Sequence, residues 1–185
     1  MNYSELQDTI ADWFARTDLP AATFISLAED EMNRTLRLQG MEVLVTATPE
    51  YQTPDGLWYI TNPEGFLEVK TIRAGDYLLE CVSPHQIYEN TETYYAMGNG
   101  TILLGDNDAV DLLYYKKVDP LSAQADENLF TTVASDALLY LALDHAASYM
   151  NMPGDYRQVA TTRLNELVQA NERANLVGPL VQRGM

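Results

Sequence analysis

The stretch FISLAEDEMNRTLR, residues 24–37, sets Glu29, Asp30 and Glu31 in a row, a few positions ahead of Arg34 and Arg37. Neighbouring carboxylates can serve as general acid and base when their surroundings push their pKa values apart, so this run is the first candidate for chemistry. Helical geometry argues against it. At ~100° per residue, Phe24, Ile25, Leu27, Ala28, Met32 and Leu36 share one half of a helix, and Glu29, Asp30, Asn33 and Arg37 fall on the other. Only Glu31 lies within the apolar arc, with Arg34 one turn later, which predicts a partly buried pair. Glu29 with Asn33 and Asp30 with Arg34 have the spacing of surface partners, worth ~0.2–0.5 kcal/mol each. The acids do not converge, so a structural helix is expected.

The other candidates are weaker. Asp106, Asn107, Asp108 and Asp111 in GDNDAVD lack the central glycine and distal glutamate of a calcium-binding loop, so a hairpin turn is expected there. Asp144 and His145 are adjacent on a helix and point about 100° apart, which excludes a dyad between them. His85, beside Pro84, reads as a surface or capping residue. Cys81 is the single cysteine and can form no internal disulfide, and with only His85 and His145 to add there is no zinc-ligand set. No glycine-rich phosphate loop or nucleophile elbow is present. No catalytic, cofactor-binding or metal-binding residue is predicted.

Charge is the strongest compositional signal. The 185 residues carry 27 acids and 11 bases, a net charge of −16, distributed as −4 over residues 1–40, −8 over 41–118 and −4 over 119–185. So few cations cannot displace the counterions of DNA, and ordinary nucleic-acid binding is excluded. The apolar content of 46% is that of a globular protein. No apolar run approaches the ~20 residues of a membrane helix. The opening MNYSELQDTIADWF lacks the basic and apolar regions of a secretory signal, so an intracellular, soluble protein is expected.

The hydrophobic period changes twice along the chain. Tyr3, Leu6, Ile10, Trp13 and Phe14 recur at helical spacing, with Asn2 or Ser4 as the cap. A second helix is predicted over roughly 20–39, with Asp18 as its cap, Pro20 in its first turn and Gly40 as its stop. From Met41 to Val118 short β-rich runs alternate with turn residues: MEVLVTAT, LWYIT, FLEVKTIRA, YLLECV, YYAMG, TILLG and AVDLLYYKK. AGDY, GNGT and GDNDA read as tight hairpins, and SPHQIYEN as one short helical turn. In the pairs Tyr94–Tyr95 and Tyr114–Tyr115, one ring is expected in the core and one on the surface. FTTVASDALLYLALDHAASYM then reads as a buried central helix, broken by Pro153 and Gly154, and a fourth helix ends near Leu176. The fold class is therefore α+β. A four-helix bundle over 1–40 and 119–176 carries an inserted, mostly antiparallel β-domain over 41–118 and a tail over 177–185.

Particular segments in this order resemble a known family. MNYSELQDTIADWFARTDL followed by FISLAEDEMNRTLR is similar to the N-terminal signature of phage adaptor proteins, the head-to-tail connectors of tailed phages. NPEGFLEVKTIR, YLLECVSPHQIYE, VDLLYYKKVDPLS and DALLYLALDHAASYM stand where that family has its Phe-Leu-Glu strand, its strand and Ser-Pro turn, its last strand with exit loop, and its long helix. The resemblance implies a ring, commonly of twelve subunits, that docks under the portal and receives a tail or nozzle protein on its other side. It implies no cofactor and no catalysis. An acidic wall would let DNA pass without sticking.

Two sets of residues are expected to serve such an assembly. Glu29, Arg34 and Arg37 are assigned to the subunit interface, because desolvated ion pairs fix register. The tail LVGPLVQRGM contains no acid and has no core to enter, so Leu176, Val177, Leu180, Val181 and Arg183 are assigned to portal docking, with the tail ordering on binding. The alternative reading is a free acidic mimic of DNA that inhibits a basic nucleic-acid-binding protein. A small hydrolase with acidic catalysts is a distant third.

Overall fold

A computed structural model describes residues 1–54, 56–87, 94–98, 100–124 and 126–176. The chain is α+β, with five helices and two sheets among the described residues. It divides into two compact units: Met1–Met41 with the chain from Val118 on, and Glu42–Lys117.

In the helical unit, α1 (Tyr3–Phe14) starts at a capping box. Asn2 Oδ1 accepts from the Glu5 N–H at 2.9 Å, and the Asn2 N–H donates back to Glu5 Oε2 at 3.0 Å. Leu6 and Ile10 fill its buried stripe. Helix α2 (Ala21–Thr35) differs from expectation at both ends. Pro20 occupies the cap position without a side-chain bond, while Asp18 is held by Arg16 instead, at 2.9 and 2.6 Å. At the other end Leu36 is already extended, at φ −97° and ψ 145°. The extended backbone turns Leu36 and Leu38 to the same buried side, and Met41 follows them through the 3₁₀ turn Gln39–Met41. Burial of alternate leucines ends the helix ahead of Gly40.

The run that reads as one central helix is two. Helix α3 (Leu129–Val133) begins at a second capping box, Asn128 with Thr131, and ends where Ala134 leaves helical geometry at φ −148°. Helix α4 (Ser135–Tyr149) restarts at once, with Asp136 Oδ1 accepting the Ala137 N–H at 2.8 Å. Leu138, Leu141, Ala142, Leu143 and Ala146 are fully buried or nearly so, because α1, α2, α3 and α5 (Tyr156–Leu176) all lie against it. The small alanines let those neighbours approach. No helix among the described residues is long and apolar enough to cross a membrane.

The β unit holds β1 (Glu42–Ala47), β2 (Tyr51–Gln52), β3 (Trp58–Thr61), β4 (Phe66–Ala74), β5 (Tyr77–Leu78), β6 (Glu80–Val82), β7 (Tyr94–Met97), β8 (Thr101–Leu104) and β9 (Val110–Lys116). They form a four-stranded sheet in the order β1-β9-β4-β5 and a five-stranded sheet in the order β2-β3-β8-β7-β6. Every pairing is antiparallel except β6 with β7, which is parallel. AGDY and GNGT do form tight hairpins, with Gly75 at φ 57° and the Gly98 N–H donating to Thr101 O at 2.8 Å. YLLECV, by contrast, is two strands in different sheets, changing over at Leu79. GDNDA is likewise no hairpin, since it carries the chain from β8 in one sheet to β9 in the other.

One core joins the sheets. Ile60, Ile102, Leu104 and Tyr95 of the five-stranded sheet meet Ile72, Leu112 and Tyr114 of the four-stranded one. Tyr114 stacks on Phe66 with ring centroids 5.6 Å apart, and burial pushes the Tyr95 hydroxyl up to about 12. Tyr94 and Tyr115 are each half-buried rather than on the surface. The Ser83–Ile87 turn closes with Ser83 Oγ donating to Gln86 Oε1 at 2.8 Å, and it sets Ile87 against Leu57 and Ala96 in a second, smaller cluster. The rest of SPHQIYEN, from Tyr88, lies outside the described residues.

Candidate assembly surfaces

The acidic run in α2 splits by direction. Glu29 and Asn33, expected on the polar face, are 3% and 2% exposed. The buried arc of α2 is rotated toward them and away from Leu27, which is 45% exposed. Asn33 grips the backbone of Val118, accepting its N–H at 2.8 Å and donating Nδ2 to its carbonyl at 3.3 Å. One turn earlier, Glu29 Oε1 accepts from Asn128 Nδ2 at 2.6 Å and from the Leu121 N–H at 3.2 Å. These two side chains clamp the segment on which the chain re-enters the helical unit. Where this largely exposed loop passes α2, at half-buried Val118 and buried Leu121, its backbone donors need partners, and polar groups on the inner side of α2 supply them. Glu29 is therefore turned into its own chain rather than toward a neighbouring subunit.

The same segment is tied at three more points. Asp126 Oδ2 accepts from the Ser122 N–H at 2.9 Å, Ser122 Oγ at 2.9 Å and the Ala123 N–H at 2.6 Å, and these bonds lower its pKa below the usual carboxylate value. The free N–H groups of Tyr3 and Ser4 in the first turn of α1 donate to Asp126 O and Gln124 O, both at 3.0 Å. On the departing side, Asn171 of α5 accepts the Gln39 N–H at 3.0 Å and donates to Arg37 O at 3.1 Å.

Glu31 does not pair with Arg34. It meets Arg157 of α5, whose second branch lies 2.8 Å from Asp144 of α4, so one guanidinium joins α2, α4 and α5. Burial opposes the charge of Arg157, but the two carboxylates outweigh it and raise its pKa above the ordinary value. His145 Nε2 lies 3.5 Å from Glu31 Oε2 without a hydrogen bond. Asp144 and His145 thus both face this cluster. Arg37 caps the end of α2, with Nη1 donating to Asn33 O at 3.2 Å and Leu36 O at 2.7 Å. Arg34 is exposed and donates Nε to Asp30 O at 3.2 Å. Leu27, Asp30 and Arg34 form an outward stripe at helical spacing.

Most of the scarce bases are engaged within the chain. Arg16 with Asp18, Lys70 with Glu42 at 2.6 Å, and Arg163 with Asp136 at 3.3 Å and Glu166 at 3.0 Å add to the pairs already described. The acids are left in excess outside. Asp111 accepts from Thr46 Oγ1 at 2.8 Å, and no group of three or more metal-ligating side chains occurs among the described residues.

The helical unit also displays aromatic surface. Trp13, half exposed, donates Nε1 to Tyr156 Oη at 3.1 Å and meets the rings of Tyr140 and Tyr156 edge-on. A Cβ on Gly154 would lie 2.3 Å from the Tyr156 ring, so a larger residue there has to displace that ring. Tyr149 and Met152 are exposed as well. Leu176 is the last residue of α5, and Val177, Leu180, Val181 and Arg183 lie outside the described residues.

A clamp, an acidic exterior and exposed apolar side chains describe a part that assembles. The family model for the SU10 adaptor protein matches residues 1–183. The chain belongs to that family. This is a family of phage head-to-tail adaptors, structural rather than enzymatic, located at the virion neck with portal and tail as neighbours. No curated protein matches this adaptor. Sequence reasoning missed Arg157, Asn128 and Asn171, whose bonds to Glu31, to Glu29 and to the backbone of Arg37 and Gln39 span 99 to 134 residues of chain.

Proposed function

We propose that this adaptor assembles as a ring, of twelve subunits as is common for such connectors, that sits between the portal and the tail or nozzle protein and gives DNA passage without binding it. The family match over nearly the whole chain carries this reading. The charge supports it. With 27 acids against 11 bases, and with Arg16, Lys70, Arg157 and Arg163 already in ion pairs within the chain, a lumen walled by this surface repels phosphates.

In this reading α1, α2, α4 and α5 make up the bundle of the family architecture. The outward stripe Leu27, Asp30 and Arg34 meets a neighbouring subunit, with Arg37 beside it. Leu176, Val177, Leu180, Val181 and Arg183 dock on the portal. Assembly takes place in the host cytoplasm before the protein becomes part of the neck. Light scattering on the adaptor alone and mixed with its portal tests this, with a portal-bound ring as the expected result. A chain that stays monomeric with portal and instead blocks a basic DNA-binding protein is a DNA mimic.

A further inference from the structure

The β unit contains a cleft of about 540 Å³, where the β4–β5 turn faces the crossover between the two sheets. Its floor is the end of the shared core, Leu79, Leu104 and Val110. Its rim carries Tyr77, 69% exposed, and the exposed acids Asp106 and Asp108. No base lines it. Beside it β5 ends the four-stranded sheet, with Leu78 also exposed, so a strand edge lies next to an apolar hole.

We infer that this cleft docks an extended segment of a neighbouring virion protein, one that places a bulky apolar side chain on Leu79, Leu104 and Val110 and a lysine or arginine beside it against Asp106 and Asp108. This rests on the adaptor reading for the identity of the neighbour. The volume falls in the range of sites that enclose a ligand, ~300–1,000 Å³. Opposite charge at a rim selects partners and speeds their capture. The folded surface of a second copy is a poor occupant, because it is acidic like the rim, which leaves the acid-free segment 177–185 as the rival from this chain. A small metabolite needs converging polar groups on the floor, and the floor is apolar. A metal ion needs several converging ligands, and no group of three or more metal-ligating side chains occurs among the described residues. Segments that add to a sheet edge commonly place alternate side chains in such pockets.

The test is a titration of the isotope-labelled full chain with three short peptides: one with a leucine-valine core flanked by lysines, the same core flanked by glutamates, and residues 177–185 of the chain itself. The lysine peptide is expected to shift the amides of Gly75, Leu79 and residues 105–110 saturably, and to bind about tenfold more tightly than the glutamate peptide. Changing both Asp106→Asn and Asp108→Asn, which keeps the acceptor for Asn107, should weaken it about fivefold, and Ala109→Trp, which fills the cleft, should abolish it. Equal binding of the two flanked peptides, shifts that lie elsewhere, or no binding would overturn the inference. Tighter binding of the 177–185 peptide would overturn it in favour of the chain's own tail. The unaltered chain is also mixed with portal. Ring formation with no peptide binding sinks the cleft alone, and peptide binding with no ring sinks the adaptor reading alone.

Discussion

Asn33 holds Val118 by both its backbone groups, accepting the N–H at 2.8 Å and donating to the carbonyl at 3.3 Å, so a side chain of α2 imitates a strand partner for the first residue of the returning chain. Glu29, one helical turn away, holds Leu121 by one backbone group, its carboxylate accepting the N–H. Of the three consecutive acids of α2, Glu29 serves this clamp, Glu31 meets Arg157 and Asp30 faces outward.

Removing the clamp should cost more than its surface position on a helical wheel implies. Glu29→Ala leaves the buried Leu121 N–H unpaired and takes from the Asn128 amide one of its two acceptors, the other being Asp119 O, and a loss of about 2–4 kcal/mol is expected. The melting temperature should fall by roughly 5–15 °C for a chain of this size. Asp108→Ala, at an exposed carboxylate, should stay within about 0.5 kcal/mol. Thermal and urea unfolding of the two variants measure the contrast, and equal effects would mean that the clamp carries no stability.

The sequence showed the α+β class, the antiparallel hairpins at Gly75 and Gly98, and the absence of converging acids, because each of these depends on period or local turn chemistry. It hid what depends on distant partners. Hydrophobicity alone put Leu27 inward and Glu29 and Asn33 outward, yet the inner side of α2 meets loop backbone that needs polar partners more than it needs a leucine. The break at Ala134 and the sheet change at Leu79 leave no glycine or proline to mark them.

Acid should loosen the returning segment first. The pKa of Asp126 is lowered in the folded chain by the N–H groups of Ala123 and Ser122. Such a carboxylate contributes stability above its unfolded value, near ~3.9, and that contribution is lost as the pH falls through the lower folded value. Hydrogen exchange at Ser122 and Ala123 should therefore accelerate below about pH 4, and Asp126→Asn should flatten that dependence. An unchanged pH profile in the variant would show that other carboxylates govern it.

The two arginines at the end of α2 should separate. Arg34→Glu touches only its own helix surface and should hinder ring formation while helicity and melting temperature hold. Arg37→Glu also removes the cap on Asn33 O and Leu36 O, so it should lower stability by about 1 kcal/mol in addition. Circular dichroism and light scattering read the two effects apart, and normal assembly of Arg34→Glu would move the subunit contact away from this stripe.

Deleting residues 177–185 should leave the melting temperature nearly unchanged, because a short apolar segment beyond Gly178 and Pro179 buries too little surface to offset its ordering entropy. Portal attachment should weaken strongly, since Leu180 and Val181 could each bring roughly 1–2 kcal/mol of burial before ordering costs. Cosedimentation with portal measures it, and undiminished binding would place docking on the helical unit.

The most direct measurement is electron cryomicroscopy of the full chain mixed with the portal of its own virus. A closed ring of adaptor subunits seated on the portal is expected, with acids outnumbering bases on the channel wall by more than they do on the outer surface. Particles of bare portal beside free monomer, or a ring whose channel wall is neutral or basic, would contradict the account.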